Sequence, residues 1–84
     1  MKTMKTEEIK NILTRLFNEK DALKNVDGDA DIFDLGVSSL TVVELQIKAE
    51  EALQLETTTS DLMRHSTLNG WIKLYSNLSQ QTAV

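Results

Sequence analysis

Apolar residues recur at helical spacing in three separate segments of this 84-residue chain, and nothing between them suggests a pair of strands. In the first segment, Ile9, Ile12, Leu13, Leu16 and Phe17 line one face, which predicts a helix from Thr6 to Lys20. Thr6 is its candidate N-cap. Glu7 and Glu8 lie where the helix dipole favours negative charge, and Lys20 lies near the opposite pole. The second helix is expected from Ser39 to Leu53. The run Thr57 to Ser60 then breaks regularity, and a short helical turn at Asp61 to Arg64 follows, capped by Ser60. Thr67 can cap a last helix whose Leu68, Trp71, Ile72 and Tyr75 share a face. Residues 1–5 and the tail from Ser79 to Val84 are expected to be frayed. These pieces imply an all-α fold, a small four-helix bundle of three main helices plus one short helix. The length suits one domain, 1–84, with a modest core.

A long polar connection joins the first two helices, from Asp21 to Val37, with a turn signal at Asp27-Gly28-Asp29. So long a loop in a small domain packs its own side chains or carries function. Phe33 and Leu35 are expected to pin it onto the core. Its aspartates do not make a calcium loop. Counted from Asp27, the twelfth position, which needs a bidentate glutamate, is Ser38. The cluster reads as a solvated loop.

The net charge of −4 and a pI of about 4.8 argue against nucleic acid and against anionic membrane surfaces, since both need clustered Lys and Arg. The first ten residues hold no apolar run like that of a signal peptide, so the expected location is the cytoplasm. No window approaches transmembrane length. There is no cysteine, hence no disulfide, no thiolate zinc site and no thiol nucleophile in the chain itself. The single histidine, His65, has no nucleophile elbow or oxyanion hole to work with and reads as the end of the short helix. Metal binding would be left to scattered carboxylates. The chain shows no catalytic site of its own.

The second helix is unusual in having two apolar faces. At about 100° per residue, Val42, Leu45, Ala49 and Leu53 fall in one arc, while Leu40, Val43 and Ile47 fall on the opposite side. A surface helix needs only one stripe for the core. The first is the longer and is expected to face inward. The second is flanked by Glu44 and Glu51, with Glu50 on its other shoulder. An apolar strip rimmed by acids suits a protein partner bearing Arg or Lys around a hydrophobic groove. The alternative is that the first helix or the long loop covers Leu40 and Val43.

This second stripe begins beside a serine pair. Taken alone, Ser38-Ser39 before an apolar helix reads as capping. Ser38 is placed as N-cap, with its oxygen on the N–H of Thr41 or Leu40. Ser39 would then open the helix with its hydroxyl free, near unpaired N–H groups and a dipole that favours negative charge. Gly36 permits the sharp approach to this turn.

The stretch Asp34-Leu35-Gly36-Val37-Ser38-Ser39-Leu40 resembles the attachment motif of acyl carrier and peptidyl carrier proteins, Asp-Leu-Gly-x-Asp/His-Ser-Leu. The resemblance covers nearly the whole chain. It takes in a first helix, a long loop ending in Phe-x-x-Leu-Gly, the serine helix with Val-Glu-Leu, a Leu-Met turn and a final Thr-Leu helix. It implies an acyl-carrier-like bundle in which Ser39 carries 4′-phosphopantetheine, derived from coenzyme A and attached by a phosphopantetheinyl transferase. The cofactor's thiol would hold an acyl or aminoacyl cargo as a thioester for loading and acceptor enzymes. Leu40, Val43, Glu44, Ile47 and Glu51 are the candidate partner-binding residues. The chain departs from the motif at Ser38, where the family has an acid or histidine. Thr41 and Lys48 stand where fatty-acid carriers are often acidic or neutral, and Gly36-Val37-Ser38-Ser39 replaces the peptidyl carriers' Gly-Gly-His/Asp-Ser. These features point to a free-standing, monomeric carrier of polyketide, nonribosomal peptide or hybrid biosynthesis. A carrier for fatty-acid or D-alanyl transfer, or a helical adaptor with no prosthetic group, are the competing readings.

Overall fold

Ile9, Leu13, Leu16 and Phe17 are all buried, and the helix they define, α1, spans Thr6–Asn18. The computed structural model describes residues 5–82, so Met1 to Met4 and the last two residues, with the fraying expected there, lie outside it. Two single-turn 3-10 segments follow, Asp21–Leu23 and Ile32–Leu35. Then come α2 at Ser39–Leu53, α3 at Thr59–Arg64 and α4 at Leu68–Thr82. No strand occurs among the described residues. The fold is the expected all-α bundle of three main helices and one short one.

The core is where the three long helices converge. Trp71 and Tyr75 of α4 are fully buried, as are Ile9 and Leu13 of α1 and Val42 and Ala49 of α2. Phe17 meets Trp71 edge to face, with ring centroids 5.1 Å apart and planes at 82°. That geometry matches the ring quadrupoles. The indole also needs a partner for its buried N–H, and Trp71 Nε1 donates to the Leu62 carbonyl at 3.1 Å. One bond thus fixes α3 against α4.

Several local expectations are corrected. The N-cap of α1 is Lys5, and Thr6 is the first helical residue. Glu8 reaches back to accept from the Lys5 N–H at 3.2 Å. The helix ends at Asn18, so Lys20 lies beyond it. The cap of α3 is Thr58, whose side chain accepts from the Asp61 N–H at 3.0 Å, and Ser60 lies inside the helix. Ser79, placed in the tail by the sequence reading, lies within the last helix and is buried. Thr67 does cap α4, accepting from the Gly70 N–H at 2.8 Å.

The long connection is held differently from the expectation. Leu23, Ile32 and Val37 are the side chains it sinks into the core, while Phe33 and Leu35 remain 37% and 42% exposed. Polar contacts with the α3–α4 junction complete the attachment. The Ile32 N–H donates to the Ser66 carbonyl at 2.8 Å, and the Asn69 N–H to the Gly28 carbonyl at 2.9 Å. The aspartates are spent within this arrangement. Asp27 accepts from the Asp29 N–H, Asp29 from the Asn69 side chain, and Asp31 from Phe33 N–H and the Ser66 hydroxyl. The described residues include no cluster suited to a metal ion.

Candidate functional site

The mouth of α2 is built by a turn that only glycine enters cheaply. Gly36 ends the second 3-10 segment at φ +88°, in the left-handed region. A Cβ at Gly36 would meet nothing within 4 Å, so the glycine is required by its backbone angle, and the space around it is open. Val37 then dips into the core and anchors the approach. Ser38 is extended, at φ −89° and ψ 165°, and its Oγ accepts from the Thr41 N–H at 3.3 Å. That is the N-cap geometry.

Ser39 is consequently the first helical residue, exposed to solvent. Among the described residues its hydroxyl has no hydrogen-bond partner. Ser38 has taken the Thr41 N–H, which leaves the N–H groups of Ser39 and Leu40 free at the positive end of the helix. This arrangement fits an esterified phosphate. The hydroxyl is accessible, the surroundings are open, and unpaired N–H groups stand beside it. The two serines are brought together by sequence and separated in role by conformation.

The two faces of α2 are distributed as the periodicity predicts. Val42, Leu45, Ala49 and Leu53 are buried, while Leu40, Val43 and Ile47 are 68%, 36% and 57% exposed. Neither α1 nor the long loop covers the outer stripe. Its acidic flank is less uniform than the sequence implies. Glu44 pairs with Lys20 at 3.0 Å, and Lys48 pairs with Glu19 at 3.1 Å, so two ion pairs tie the residues just after α1 to the outer flank of α2. Glu51 makes no ion pair among the described residues.

Glu50 does not belong to the rim. Its Oε2 accepts from the Thr57 N–H at 2.9 Å, from Gln46 Nε2 at 3.2 Å and from the Tyr75 hydroxyl at 3.2 Å. Gln46 Nε2 also donates to the Thr57 carbonyl at 3.0 Å, and the Thr59 hydroxyl donates to Gln46 Oε1. One carboxylate therefore clasps α2, the α2–α3 linker and α4. Burial, then the neighbouring Glu50 charge and the hydrogen bond to it, push the Tyr75 phenol well above its ordinary value. The i, i+4 spacing of Gln46 and Glu50 is visible in sequence, but their reach to Thr57 and Tyr75 is not.

The model of the family described as "Phosphopantetheine attachment site" matches residues 7–75, from the start of α1 to Tyr75. The chain belongs to that family, whose members carry a 4′-phosphopantetheine prosthetic group. It is also similar to a polyketide synthase-nonribosomal peptide synthetase, ffsA, of Aspergillus flavipes. The two are 31% identical over 70 residues, covering 82% of this chain and 2% of that protein. The chain thus spans a small fraction of the relative's length. No solved structure gives a significant match. No helix among the described residues is long and apolar enough to cross a membrane.

Proposed function

We propose that the chain is an acyl or aminoacyl carrier with Ser39 as the attachment residue, serving polyketide, nonribosomal peptide or hybrid biosynthesis. The observation that carries the residue assignment is the division between the two serines: Ser38 is committed to the cap, and Ser39 is exposed with its hydroxyl unbonded among the described residues. The prosthetic group supplies a thiol, which the cysteine-free chain lacks. The chain's own part is to present Ser39 at an open helix mouth and to offer partners a docking face. It performs no chemistry itself. A phosphopantetheinyl transferase and the loading and acceptor enzymes of the pathway are its partners. A cytoplasmic location and a monomeric state go with this reading.

The docking face is the outer stripe of α2, Leu40, Val43 and Ile47, with Glu44 and Glu51 beside it. Its exposure supports this role, as does its start next to Ser39. Tethering raises effective concentration, so each encounter can remain weak and brief.

Co-expression with a broad-specificity transferase, followed by intact-mass analysis, tests the attachment. The wild-type chain should gain one phosphopantetheinyl group, Ser39→Ala none, and Ser38→Ala one. A gain in Ser39→Ala with none in Ser38→Ala moves the attachment to Ser38. No gain in the wild type removes the carrier reading.

A further inference from the structure

The outer flank of α2 carries charges of both signs in alternation. Glu44, Lys48 and Glu51 follow one another at i, i+4 and i+7, so they stand in a row along one shoulder of the outer stripe. A glutamate four residues before a lysine is a favoured pair on an isolated helix. The fold does not use it. Glu44 takes Lys20 at 3.0 Å and Lys48 takes Glu19 at 3.1 Å, both across to the residues just after α1.

Lys20 and Lys48 thereby line, with Glu44, Ile47 and Glu51, an open shelf of about 310 Å³. Its charges balance, two lysines against two glutamates, and its apolar member is Ile47 of the outer stripe. The lysines are not spent. An ammonium has three N–H donors, and each of these two gives one hydrogen bond among the described residues. Lys48 is the more open of the pair, with its side chain half exposed against 30% for Lys20. A carboxylate arriving from outside can therefore bond Lys48 without displacing Glu19.

Resting on the docking face given above, we propose that Lys48 is a specificity-determining residue of that face: it takes a carboxylate of the partner, while the partner's apolar side chains lie on Leu40, Val43 and Ile47. The rim that fits alternates in sign, with a base opposite Glu51 and an acid opposite Lys48. A rim of bases alone sets one of them against Lys48, where like charges repel and affinity is lost. The lysine thus sorts partners that share the same apolar pattern.

The test uses the full ¹⁵N-labelled chain, unmodified, titrated with two helical peptides of equal length. The ionic strength is about 0.15 M, where exposed charges more than about 8 Å apart are largely screened. Both peptides carry the same leucine stripe. One has Arg at every rim position, and the other has Glu at the central rim position and Arg at the rest. The chain should bind the mixed-rim peptide about threefold more tightly, the scale of one exposed ion pair. Lys48→Glu should reverse that order. If that variant folds poorly with Glu19 left unpaired, Lys48→Gln should bring the two affinities together. Lys73→Gln removes the same charge from an exposed position on α4 and should leave the preference unchanged. A preference for the all-Arg peptide overturns the proposal, as does a preference that survives Lys48→Gln. If Lys73→Gln moves the preference as far as Lys48→Gln does, net charge accounts for it and Lys48 has no part of its own. If both peptides shift the amides of Leu40, Val43 and Ile47 with equal affinity, the docking face stands and the role of Lys48 falls. If neither peptide shifts them, the docking face falls and takes that role with it. Concentration-dependent shifts at these amides without peptide would put a second copy of the chain on the face, and they overturn the proposal too.

Discussion

Ser38 and Ser39 carry the same side chain and do different work because their backbones differ. The extended Ser38 turns its oxygen onto the Thr41 N–H, and the helical Ser39 cannot. Ser38→Ala should therefore cost about 1 kcal/mol, and Ser39→Ala only a few tenths. Denaturant titration decides between them, and equal, negligible losses would remove the cap. Gly36 is held by its angle. Gly36→Ala should cost roughly 1–2 kcal/mol, the strain of a Cβ at positive φ, because no neighbour stands close enough to add a clash. Replacement by Asn, which tolerates this region, should recover part of that loss. Caps were legible at Ser38, two residues before the apolar Leu40, and at Thr67, directly before Leu68. They were not at α3, where Thr57, Thr58, Thr59 and Ser60 are chemically alike. There the choice falls to Thr58 because the linker, clasped by Glu50 at Thr57, enters the helix at that point. At α1 the sequence suggested Thr6, yet Glu8 satisfies the Lys5 N–H and the helix opens one residue earlier than a threonine cap would allow.

At the scale of the element, α2 is a helix with one face given to the core and one left outside. Glu44→Lys and Leu45→Ala, adjacent in sequence, test the two faces. Glu44→Lys removes an exposed ion pair with Lys20 and sets two lysines together, so it should lower stability by no more than about 1 kcal/mol. It should weaken partner loading, because a basic rim would meet a positive charge. Leu45 is buried, and Leu45→Ala should cost roughly 2–5 kcal/mol. A large stability loss for Glu44→Lys with none for Leu45→Ala would rotate the helix away from this arrangement. The two stripes were readable because a helix's angular period is fixed. The ion pairs that cross them were not, since Lys20 and Glu44 are 24 residues apart and meet only once α1 and α2 have packed. Glu50 shows the same limit. By angle it belongs on the shoulder of the outer stripe, but the linker folds back over it and turns a rim acid into a clasp. Glu50→Ala should leave the Thr57 N–H and Tyr75 hydroxyl without their acceptor and cost about 1–3 kcal/mol. Faster hydrogen exchange at the Thr57 amide would locate the damage in the linker.

For the whole molecule, a radius of gyration of 12.0 Å is close to the roughly 12 Å expected of a compact domain this long. The seventeen-residue connection from Asp21 to Val37 must therefore lie against the helices. It does so through Leu23, Ile32 and Val37, not through the larger Phe33. Phe33 and Leu35 were the expected anchors, but the single-turn 3-10 segment turns Ile32 inward and leaves both of them exposed. The middle of α4 is tied to α2 through Tyr75, which is buried with its hydroxyl on the Glu50 carboxylate. Its phenol is shifted up from 10.0 in the folded chain, first by burial, then by the Glu50 charge and hydrogen bond. The sign follows from proton counting. Below about pH 10, both folded and unfolded chains hold the phenolic proton, and Tyr75 adds no pH dependence. Above it the unfolded chain releases the proton while the folded chain keeps it. Stability then falls as pH rises, by about 1.4 kcal/mol per pH unit from this group. Tyr75→Phe removes the titrating proton along with the bond to Glu50, so it should be less stable than wild type at neutral pH but less sensitive to alkali. Denaturant titrations from about pH 9 to about pH 11 should show the two curves converging as pH rises. Parallel curves over that interval would mean that Tyr75 ionises as freely in the folded chain as in the unfolded one, and that the clasp on α4 is not closed.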